Sequence, residues 1–493
     1  MHRRLCARIA GTGRTLHGTY MPIKFGTDGW RAIIGEEYTF DNVRLCAQGV
    51  ADYMNERGLA ARGVLVGYDT RFSSREFAAS VAEVCTANRV TTYLCDRAAP
   101  TPVASFNLVA REAGAGVIIT ASHNSARWNG FKFKPHYGGS AAPEIVEELE
   151  EHIAAAESRG APARLALDVA ESRGLLEYLD PEPAYLDHLA TLVDLGAIRR
   201  AGLKVIVDPM YGSGAGYFDK LLSGEATRIV ELHSGPNPAF PGMSQPEPIA
   251  QNLGALMPSI RRRHADVGLA TDGDADRLGL VDERGGFVTT HQTFALLCLH
   301  QLEVLGRRGP LVRSITMTSM VDKLGEEYGV PVFDTPVGFK YLGPVMMEED
   351  AILAGEESGG YAFRGNIPER DGILSGLMVL DLMVKTGKTV SELLRMLSDK
   401  VGPHHYDRLD VEFDPAQREL IETRVRGARP SSLAGRQVEG IDARDGFRFV
   451  LEDGYWTLVR FSGTEPLLRI YAEGESPEEV AELLRAARLL AGV

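Results

Sequence analysis

The sequence predicts an α/β protein of three or four domains whose last domain is of the α+β kind. Its 493 residues exceed what one hydrophobic core supports. Short apolar runs typical of buried strands alternate with helical stretches as far as about residue 400, which favours α/β layers with largely parallel or mixed sheets. The remaining residues end in strand, turn, strand and helix, which indicates an α+β unit.

The first twenty residues contain four arginines, no acidic residue and little apolar periodicity. They could form an Arg-rich transit segment. Unpatterned termini are usually poorly ordered, however. We therefore predict a disordered or extended tail over residues 1–21, with the compact protein following it.

We predict the first domain over residues 22–160. A buried strand at 64–67 leads through a polar turn into a helix at 76–87. A second strand at 117–120 precedes an acidic helix at 144–156, and a short linker follows.

Three further domains are predicted at residues 161–285, 286–402 and 403–493. Their predicted elements are strands at 203–208, 267–270 and 278–282, a helix at 293–305, a strand at 331–333, a helix at 415–424, strands at 455–461 and 467–472, and a helix at 477–490. The helix at 415 begins with proline, whose missing N–H is harmless in the first turn.

The amino-acid composition disfavours some classes of binding partner and indicates a cellular compartment. The formal net charge of −14 argues against a nucleic-acid or anionic-membrane partner, although local basic sites can still bind a phosphorylated substrate. No apolar stretch reaches the ~18 residues that a membrane-spanning helix needs. The five cysteines are scattered and form no CxxC pair, which suits a reducing compartment and disfavours zinc. We expect a cytoplasmic protein, either a monomer or a dimer.

Three aspartates alternate through the loop between two predicted strands, at Asp272, Asp274 and Asp276. Alternate side chains of an extended segment point the same way, so these carboxylates repel one another unless a cation lies among them. Oxygen-only ligands favour Mg²⁺ over zinc, and Mg²⁺ commonly takes a phosphate oxygen as well. An EF-hand is excluded because its sixth position, which requires glycine, is Arg277. The loop is either a magnesium site or an acidic surface turn.

Ser122 comes directly after the strand predicted at 117–120 and is followed by His123. Serine is a weak nucleophile without a base, and the sequence has no G-x-S-x-G elbow, so a hydrolase is disfavoured. Phosphorylation would turn Ser122 into a phosphoryl donor. The pair Asn129-Gly130 predicts a turn that folds Lys132 back toward Ser122. His123 is either a reacting group or a structural histidine.

A polar loop near the C-terminus contains Arg460, Ser462, Gly463 and Thr464. Hydroxyls and backbone N–H groups suit phosphate oxygens, and an arginine adds a bidentate charged contact. Arg469 on the next strand could return to the same place. The loop either binds phosphate or is a tight hairpin that carries polar residues.

Weaker signals come from three further loops. Glu356 and Ser358 in a Gly-rich loop could bond sugar hydroxyls, Lys340 could meet a phosphate or sugar oxygen, and Arg31 follows a tight turn. Nucleotide binding is disfavoured because no G-x-x-x-x-G-K-[ST] occurs and the glycines at 212, 214 and 216 lack Rossmann spacing.

Five motifs occur in order along the chain. They are FGTDGWR (residues 25–31), TASHN (120–124), DGDADR (272–277), GEESGG (355–360) and RFSGTEP (460–466). Together they resemble the α-D-phosphohexomutase family of phosphoglucomutases and phosphomannomutases, over nearly the whole chain from about Ile23 onward. Any one motif could arise by chance, but all five in this order are specific.

The resemblance implies three related α/β domains with mixed sheets and a smaller C-terminal α+β domain around a central cleft. It implies that Ser122 carries a transferable phosphoryl group and that Mg²⁺ is held by Asp272, Asp274, Asp276 and a phosphate oxygen on Ser122. The remaining implied roles are Arg31, His123, Lys132, Arg277 and Lys340 at the reacting centre, Glu356 and Ser358 on sugar hydroxyls, and Arg460, Ser462, Gly463, Thr464 and Arg469 on the non-reacting phosphate.

The implied reaction is the interconversion of glucose 1-phosphate and glucose 6-phosphate through an enzyme phosphoserine, with hexose 1,6-bisphosphate as activator. The alternatives are a phosphomannomutase, a dual-specificity mutase, or a catalytically silent relative that acts as a structural or interaction protein. The GEESGG form is closer to phosphoglucomutases than to the phosphoglucosamine branch. One departure is Ser125, where the family usually has a proline that would fix φ. Ser125 either loosens the serine loop or adds a second hydroxyl.

Overall fold

The computed structural model describes residues 23–26, 28–462 and 467–493. The predicted tail over residues 1–21 lies outside them. The described residues form four sheets, each with its own helices. None of the helices in these residues has the length and apolar character that a membrane span requires.

The first sheet has six strands in the order β1-β5-β4-β2-β3-β6. The strands are β1 (Trp30–Ile33), β2 (Val64–Tyr68), β3 (Thr92–Cys95), β4 (Ala115–Ile119), β5 (Trp128–Pro135) and β6 (Leu176–Leu179). The helices are α1 (Phe40–Glu56), α2 (Ser74–Ala87), α3 (Thr101–Ala110), α4 (Pro143–Arg159) and α5 (Leu167–Ser172). Strands β2, β3, β4 and β6 are parallel, whereas β5 and β1 pair antiparallel. Because β6 pairs with β3, this sheet extends past residue 160.

The second sheet has the order β11-β10-β9-β7-β8. Its strands are β7 (Lys204–Asp208), β8 (Arg228–Glu231), β9 (Val267–Thr271), β10 (Leu278–Val281) and β11 (Phe287–Val288). The helices of this region are α6 (Glu182–Leu192), α7 (Leu195–Arg200), α8 (Tyr217–Leu222) and α9 (Leu256–Arg263).

The third sheet has the order β13-β12-β14-β15. Its strands are β12 (Leu311–Ser314), β13 (Val332–Thr335), β14 (Leu353–Glu356) and β15 (Gly360–Phe363). Its helices are α10 (Thr290–Leu299), which continues as a π-helical turn at His300–Val304, α11 (Met320–Tyr328), α12 (Phe339–Glu348), α13 (Gly372–Thr386) and α14 (Val390–Val401).

The fourth sheet is wholly antiparallel, in the order β16-β21-β20-β19-β18-β17. Its strands are β16 (His405–Glu412), β17 (Ser432–Leu433), β18 (Arg436–Asp442), β19 (Phe447–Leu451), β20 (Trp456–Phe461) and β21 (Leu467–Gly474). A 3₁₀ turn at Pro415–Gln417 precedes α15 (Arg418–Gly427), and α16 (Pro477–Ala491) closes the chain. This arrangement confirms the predicted fold class of three α/β domains with mixed sheets and an α+β domain.

The first three sheets repeat one topology. In each, a first strand is flanked by the next two strands, both parallel to it, and a fourth strand returns antiparallel to the third. The repeated orders are β5-β4-β2-β3, β10-β9-β7-β8 and β15-β14-β12-β13. The loop between the third and fourth strands therefore occupies an equivalent position in every α/β domain.

The central strands have the burial that this topology requires. All residues of β2, β4 and β9 are buried, as expected for strands covered by helices on both faces. One continuous apolar core joins the second and third domains, because α13 packs on the second sheet: Gly376 leaves no room for a side chain beside Phe218. The first and fourth domains have separate cores.

Candidate active site

Three loops that the sequence analysis marked as functional are the equivalent loops of the threefold repeat. They are the serine loop (120–127) between β4 and β5, the acidic loop (272–277) between β9 and β10, and the sugar loop (357–359) between β14 and β15. The hydroxyl Oγ of Ser122 donates a 2.7 Å hydrogen bond to Oδ2 of Asp272, so the first two loops touch. The fold thus brings segments far apart in sequence to one place.

Ser122 is buried and has a left-handed backbone conformation, with φ of 52°. Its N–H donates to Oγ1 of Thr120. The guanidinium of Arg71 donates to the carbonyls of Ser122 and Asn124 at 2.6 Å each. Arg71 also donates to the carbonyl of Ser125 at 2.9 Å, so one buried side chain fixes the serine loop.

The acidic loop fits a divalent cation. Asp272, Asp274 and Asp276 are fully buried, and one oxygen of each lies within 4.8 Å of the other two. Among the described residues, Oδ1 of Asp274 and Oδ1 of Asp276 are buried and accept no hydrogen bond. Burial and the charges of Asp276 and Asp274 raise the pKa of Asp272 well above its usual range. Two orphaned carboxylate oxygens in this position are ligands that Mg²⁺ prefers.

The second oxygens of these carboxylates are held by the protein. Oδ2 of Asp274 accepts from Oγ1 of Thr101 at 2.6 Å and from Nζ of Lys132 at 2.8 Å. Oδ2 of Asp276 lies 3.1 Å from the same Nζ. Oδ1 of Asp272 accepts from the backbone N–H of Asp276 at 3.0 Å. The protein therefore holds all three carboxylates in fixed orientations.

Lys132 reaches the site by strand pairing and not by a turn. The expected turn at Asn129-Gly130 was wrong, because both residues lie inside β5. Gly130 is needed there for close packing, since a Cβ would lie 2.4 Å from the carbonyl oxygen of Thr120. Strand β5 runs back along β4 and places Lys132 opposite Ile118.

The charge of Lys132 is fixed by its surroundings. Burial acts to lower its pKa, but the charges of Asp274, Asp276 and Asp28 outweigh burial and raise the pKa above its usual value. Nζ lies 2.9 Å from Oδ2 of Asp28. Lys132 is therefore a permanent cation in this arrangement.

His123 has the opposite character. Its Nδ1 lies 3.4 Å from Oγ of Ser122. Burial, followed by the charges of Arg277 and Arg31, lowers its pKa well below the usual range, so the ring is neutral. Arg31 donates to Oδ1 of Asn124 at 2.7 Å in the serine loop. His123 and Arg31 therefore both lie beside the serine loop.

Arg277 is the last residue of the acidic loop and is buried. Its Nη1 lies 2.9 Å from Oε1 of Glu247, and its Nε lies 3.9 Å from Oδ1 of Asp276. The ion pair with Glu247 holds the guanidinium beside the carboxylates.

Both carboxylates of the sugar-loop motif are paired. Oε1 of Glu356 accepts from Oγ of Ser358 at 2.8 Å and from Nη1 of Arg370 at 3.1 Å. Oε1 of Glu357 lies 3.2 Å from Nη1 of Arg408, and also accepts from a tyrosine hydroxyl of the fourth domain.

Lys340 lies at the start of α12, with Nζ 5.3 Å from the ring centroid of Tyr341. Within the described residues, no hydrogen bond or ion pair joins it to the serine, acidic or sugar loop. Its predicted contact with the reacting centre stays a prediction.

The C-terminal polar loop connects β20 and β21. The strand register places Arg460 directly opposite Arg469. Nε of Arg460 lies 2.9 Å from Oδ2 of Asp445, and Ser462 is buried at the end of β20. Gly463 and Thr464 lie outside the described residues.

Four residues at the site were missed by sequence reasoning. They are the buried Arg71, Thr101 and Arg370 and the partly buried Asp28. Arg71 lies in the polar turn after β2, and Asp28 lies inside the first motif, so position beside a strand end was an available signal for both. Thr101 and Arg370 carry no periodic or motif signal.

Comparison with known proteins follows the domain order seen in the structure. Four sequence profiles match the chain, namely those of phosphoglucomutase/phosphomannomutase alpha/beta/alpha domains I, II and III and of the C-terminal domain, at residues 22–160, 183–286, 289–401 and 421–490. The chain belongs to the phosphoglucomutase/phosphomannomutase family. It is therefore a phosphohexomutase, an intramolecular phosphotransferase of the isomerase class.

Individual relatives of this phosphohexomutase carry several names. A "Probable phosphoglucosamine mutase" of Methanopyrus kandleri is 32% identical over 93% of this chain and 95% of the relative. A "Phosphoglucomutase/phosphomannomutase" of Thermococcus kodakarensis is 30% identical over 93% and 96%. A crystal structure from Thermus thermophilus, named "putative phosphomannomutase", is 34% identical with a TM-score of 0.83, covering 96% of this chain and all of that one. The family is shared, while the sugar differs from name to name.

Proposed function

We propose that this phosphohexomutase interconverts glucose 1-phosphate and glucose 6-phosphate, with Ser122 as the phosphoryl carrier. The observation that carries the proposal is the 2.7 Å hydrogen bond from Oγ of buried Ser122 to Oδ2 of Asp272. It places a serine hydroxyl against three carboxylates suited to Mg²⁺, where a phosphoryl group on Oγ could share the ion.

In the proposed first half-reaction, phosphorylated Ser122 gives its phosphoryl group to a free hydroxyl of the bound sugar phosphate. The bond from phosphorus to Oγ breaks as a bond to the sugar oxygen forms, and the sugar hydroxyl loses its proton. Neutral His123 is the proposed proton acceptor because its Nδ1 lies 3.4 Å from Oγ of Ser122 and a neutral imidazole has one nitrogen with a free lone pair. Lys132 has a raised pKa, so it supplies charge and does not act as a base. When bound, Mg²⁺ supplies charge neutralisation on the transferring group.

The second half-reaction returns the other phosphate of the sugar bisphosphate to Ser122 after the sugar has turned over. The phosphate that does not react must be held away from the serine loop meanwhile. We assign this role to Arg460, Ser462 and Arg469, together with Gly463 and Thr464. Two cross-strand arginines suit a phosphate dianion. Hexose 1,6-bisphosphate would act as activator because it can phosphorylate Ser122 directly.

The pairing of the sugar loop supports a neutral sugar. Glu356 is bonded to Arg370 and Glu357 to Arg408, so each carboxylate already has a cationic partner. An amino sugar carries an ammonium group at the position where glucose and mannose carry a hydroxyl. Its binding would favour a carboxylate with no cationic partner. This favours hexose phosphates over glucosamine phosphate.

The test is turnover of glucose 1-phosphate, mannose 1-phosphate and glucosamine 1-phosphate under identical conditions. We expect the highest kcat/KM with glucose 1-phosphate and the lowest with glucosamine 1-phosphate. Equal values for the glucose and mannose substrates would replace the proposal with a dual-specificity mutase. Preference for mannose would indicate a phosphomannomutase, and no turnover of any substrate would favour a silent structural or interaction protein.

A further inference from the structure

Arg370 joins the three α/β domains through one guanidinium. It follows β15 and is 5% exposed. Its Nη2 lies 2.6 Å from Oδ2 of Asp28 in the first domain and 2.9 Å from Oδ2 of Asp276 in the second. Its Nη1 lies 3.1 Å from Oε1 of Glu356, and its Nε lies 3.2 Å from Oε1 of Glu369, both in the third. A four-carboxylate contact of this kind requires the planar fork of arginine.

Two of these contacts act on functional side chains. The ion pair between Nη2 and Oδ2 of Asp276 holds that carboxylate in place, and Oδ1 of Asp276 accepts no hydrogen bond from the described residues. The bond from Nη1 fixes Glu356 at the start of the sugar loop. A single rigid group therefore orients one carboxylate of the acidic loop and one of the sugar loop.

The chain makes room for this side chain at Gly360. A Cβ at Gly360 would lie 2.2 Å from Cδ and 2.6 Å from Cγ of Arg370. The φ angle of Gly360 is outside the left-handed range, so an alanine there is excluded by Arg370 and not by backbone strain. Gly360, the last residue of the GEESGG motif, is therefore needed because the aliphatic part of the Arg370 side chain packs against it.

We propose that Arg370 is a positioning residue that couples the acidic loop to the sugar loop, so that divalent-cation binding and sugar-phosphate binding depend on the same side chain. The inference rests on the proposed function for the role of the two loops. Lysine cannot replace arginine here, because Asp28 and Asp276 pair with Nη2 whereas Glu356 pairs with Nη1, and a lysine has only one nitrogen.

The experiment compares Arg370→Lys with Glu356→Gln in the full chain. Mn²⁺ binding is measured directly from the electron paramagnetic resonance signal of free Mn²⁺, and KM is measured with glucose 1-phosphate. In Arg370→Lys we expect the Mn²⁺ Kd and the KM each to rise by about tenfold, as for loss of a hydrogen bond to a charged group. In Glu356→Gln, which leaves the Asp276 contact in place, we expect KM to rise while the Mn²⁺ Kd stays within about twofold.

Gly360→Ala gives a second route to the same prediction, because it keeps the arginine and displaces its stem. It should raise both constants as Arg370→Lys does. Arg313→Lys is the matched control for general destabilisation, since Arg313 is equally buried in the third domain and pairs with Asp322 and Asp334. It should lower Tm and leave the Mn²⁺ Kd unchanged.

The possible failures are separable. If wild-type turnover is present and Arg370→Lys and Gly360→Ala leave either constant unchanged, the coupling is wrong and the proposed function stands. If the wild-type protein turns over no sugar phosphate, the proposed function fails. In that case an unchanged Mn²⁺ Kd in both variants would overturn the positioning role as well.

Discussion

Arg71 explains how the serine loop is ordered with Ser125 in place of proline. Its guanidinium donates to the carbonyls of Ser122, Asn124, Ser125 and Trp128 at distances between 2.6 and 3.1 Å. Four carbonyls directed at one cation fix the loop backbone from outside. Hydrogen bonds to charged groups stabilise a fold more than neutral hydrogen bonds do. The Arg71 guanidinium can therefore order the serine loop as a proline at position 125 would.

We predict that Ser125→Pro is tolerated. The Ser125 N–H donates no hydrogen bond in the described part of the chain, and its carbonyl is already held by Arg71. Proline would remove unfolded-state freedom and raise the free energy of unfolding by up to about 1 kcal/mol, with kcat retained. Thermal unfolding and turnover of the variant measure this. A lower Tm together with lost activity would show that the loop needs a φ that proline cannot adopt.

Asp274 should control the metal requirement. Replacing it with asparagine removes a buried carboxylate whose Oδ1 has no hydrogen-bond partner among the described residues. We expect the Mg²⁺ concentration for half-maximal activity in Asp274→Asn to rise by about tenfold or more. The control is Asp219→Asn, which changes an exposed carboxylate of the same domain. An unchanged Mg²⁺ requirement in Asp274→Asn would remove the acidic loop as the metal site.

The site is built from the loops between the third and fourth strands of the three α/β domains. In each α/β domain the third strand is buried and parallel, and the fourth returns beside it. In each of the three sheets, the polar residues that follow the buried third strand therefore lie at the same end of the sheet. Glycines in these loops allow the backbone of a neighbouring loop to approach closely.

Gly273 is the sharpest example. A Cβ at this position would lie 2.6 Å from the carbonyl oxygen of Ser122, which Arg71 holds in place. We predict that Gly273→Ala separates the acidic and serine loops and lowers kcat by about tenfold or more, while the fold is retained. Gly254→Ala is the control because no atom lies within 4 Å of its added Cβ.

Steady-state kinetics and thermal unfolding of the two variants decide the matter. Equal kcat values for Gly273→Ala and Gly254→Ala would mean that the contact between the two loops is not needed for turnover.

The site residues that follow strands could be predicted from the sequence. The side-chain contacts between distant elements could not. Ser122 and the three aspartates follow apolar runs, so their place at a sheet edge could be read from the sequence. Lys132 was marked as a candidate, but its route was misjudged because an Asn-Gly pair was taken for a turn and is packed inside β5. Arg71 and Arg370 act across elements distant in sequence, and no local pattern reports such contacts.

Glu473 joins the fourth domain to the third. This buried carboxylate on β21 accepts hydrogen bonds from Oγ1 of Thr318, from the N–H and Oγ of Ser319, and from the indole N–H of Trp456. A small apolar cluster of both domains lies around the same tryptophan. In contrast, the second and third domains share one continuous core. The third and fourth domains thus meet through buried polar contacts and one small apolar cluster, whereas the second and third domains share a core.

We predict that Glu473→Gln lowers the free energy of unfolding by about 3 kcal/mol at neutral pH, because an amide cannot accept all these bonds. Burial acts to raise the pKa of Glu473, but His404, His291 and the Ser319 N–H outweigh it and hold the pKa well below its usual range. A depressed folded-state pKa gives stability that is complete above the unfolded value, near about 4.3, and is lost as pH falls. The difference in the free energy of unfolding between wild type and Glu473→Gln should therefore become smaller below about pH 4.

Unfolding measured at neutral and acidic pH tests this prediction. Glu475→Gln, which alters an exposed carboxylate paired with Arg436, should change stability by less than about 1 kcal/mol. A difference between wild type and Glu473→Gln that stays constant with pH would contradict the assigned charge of Glu473.

The domain plan was largely predictable, because alternating strands and helices and a final antiparallel pair are patterns of local sequence. The exact boundaries were harder. Strand β6 lies past residue 160 and still joins the first sheet, since its pairing with β3 depends on a contact across more than eighty residues. No strict sequence repeat accompanies the threefold topology, so the relation among the three domains was expected from the family resemblance and not from a repeat.

The most direct test of the assigned chemistry is the intact mass of the protein after incubation with glucose 1,6-bisphosphate and Mg²⁺. The wild-type chain should gain about 80 Da, the mass of one phosphoryl group, and Ser122→Ala should gain nothing. A wild-type protein that gains no mass, or a Ser122→Ala variant that gains the same mass, would contradict Ser122 as the phosphoryl carrier.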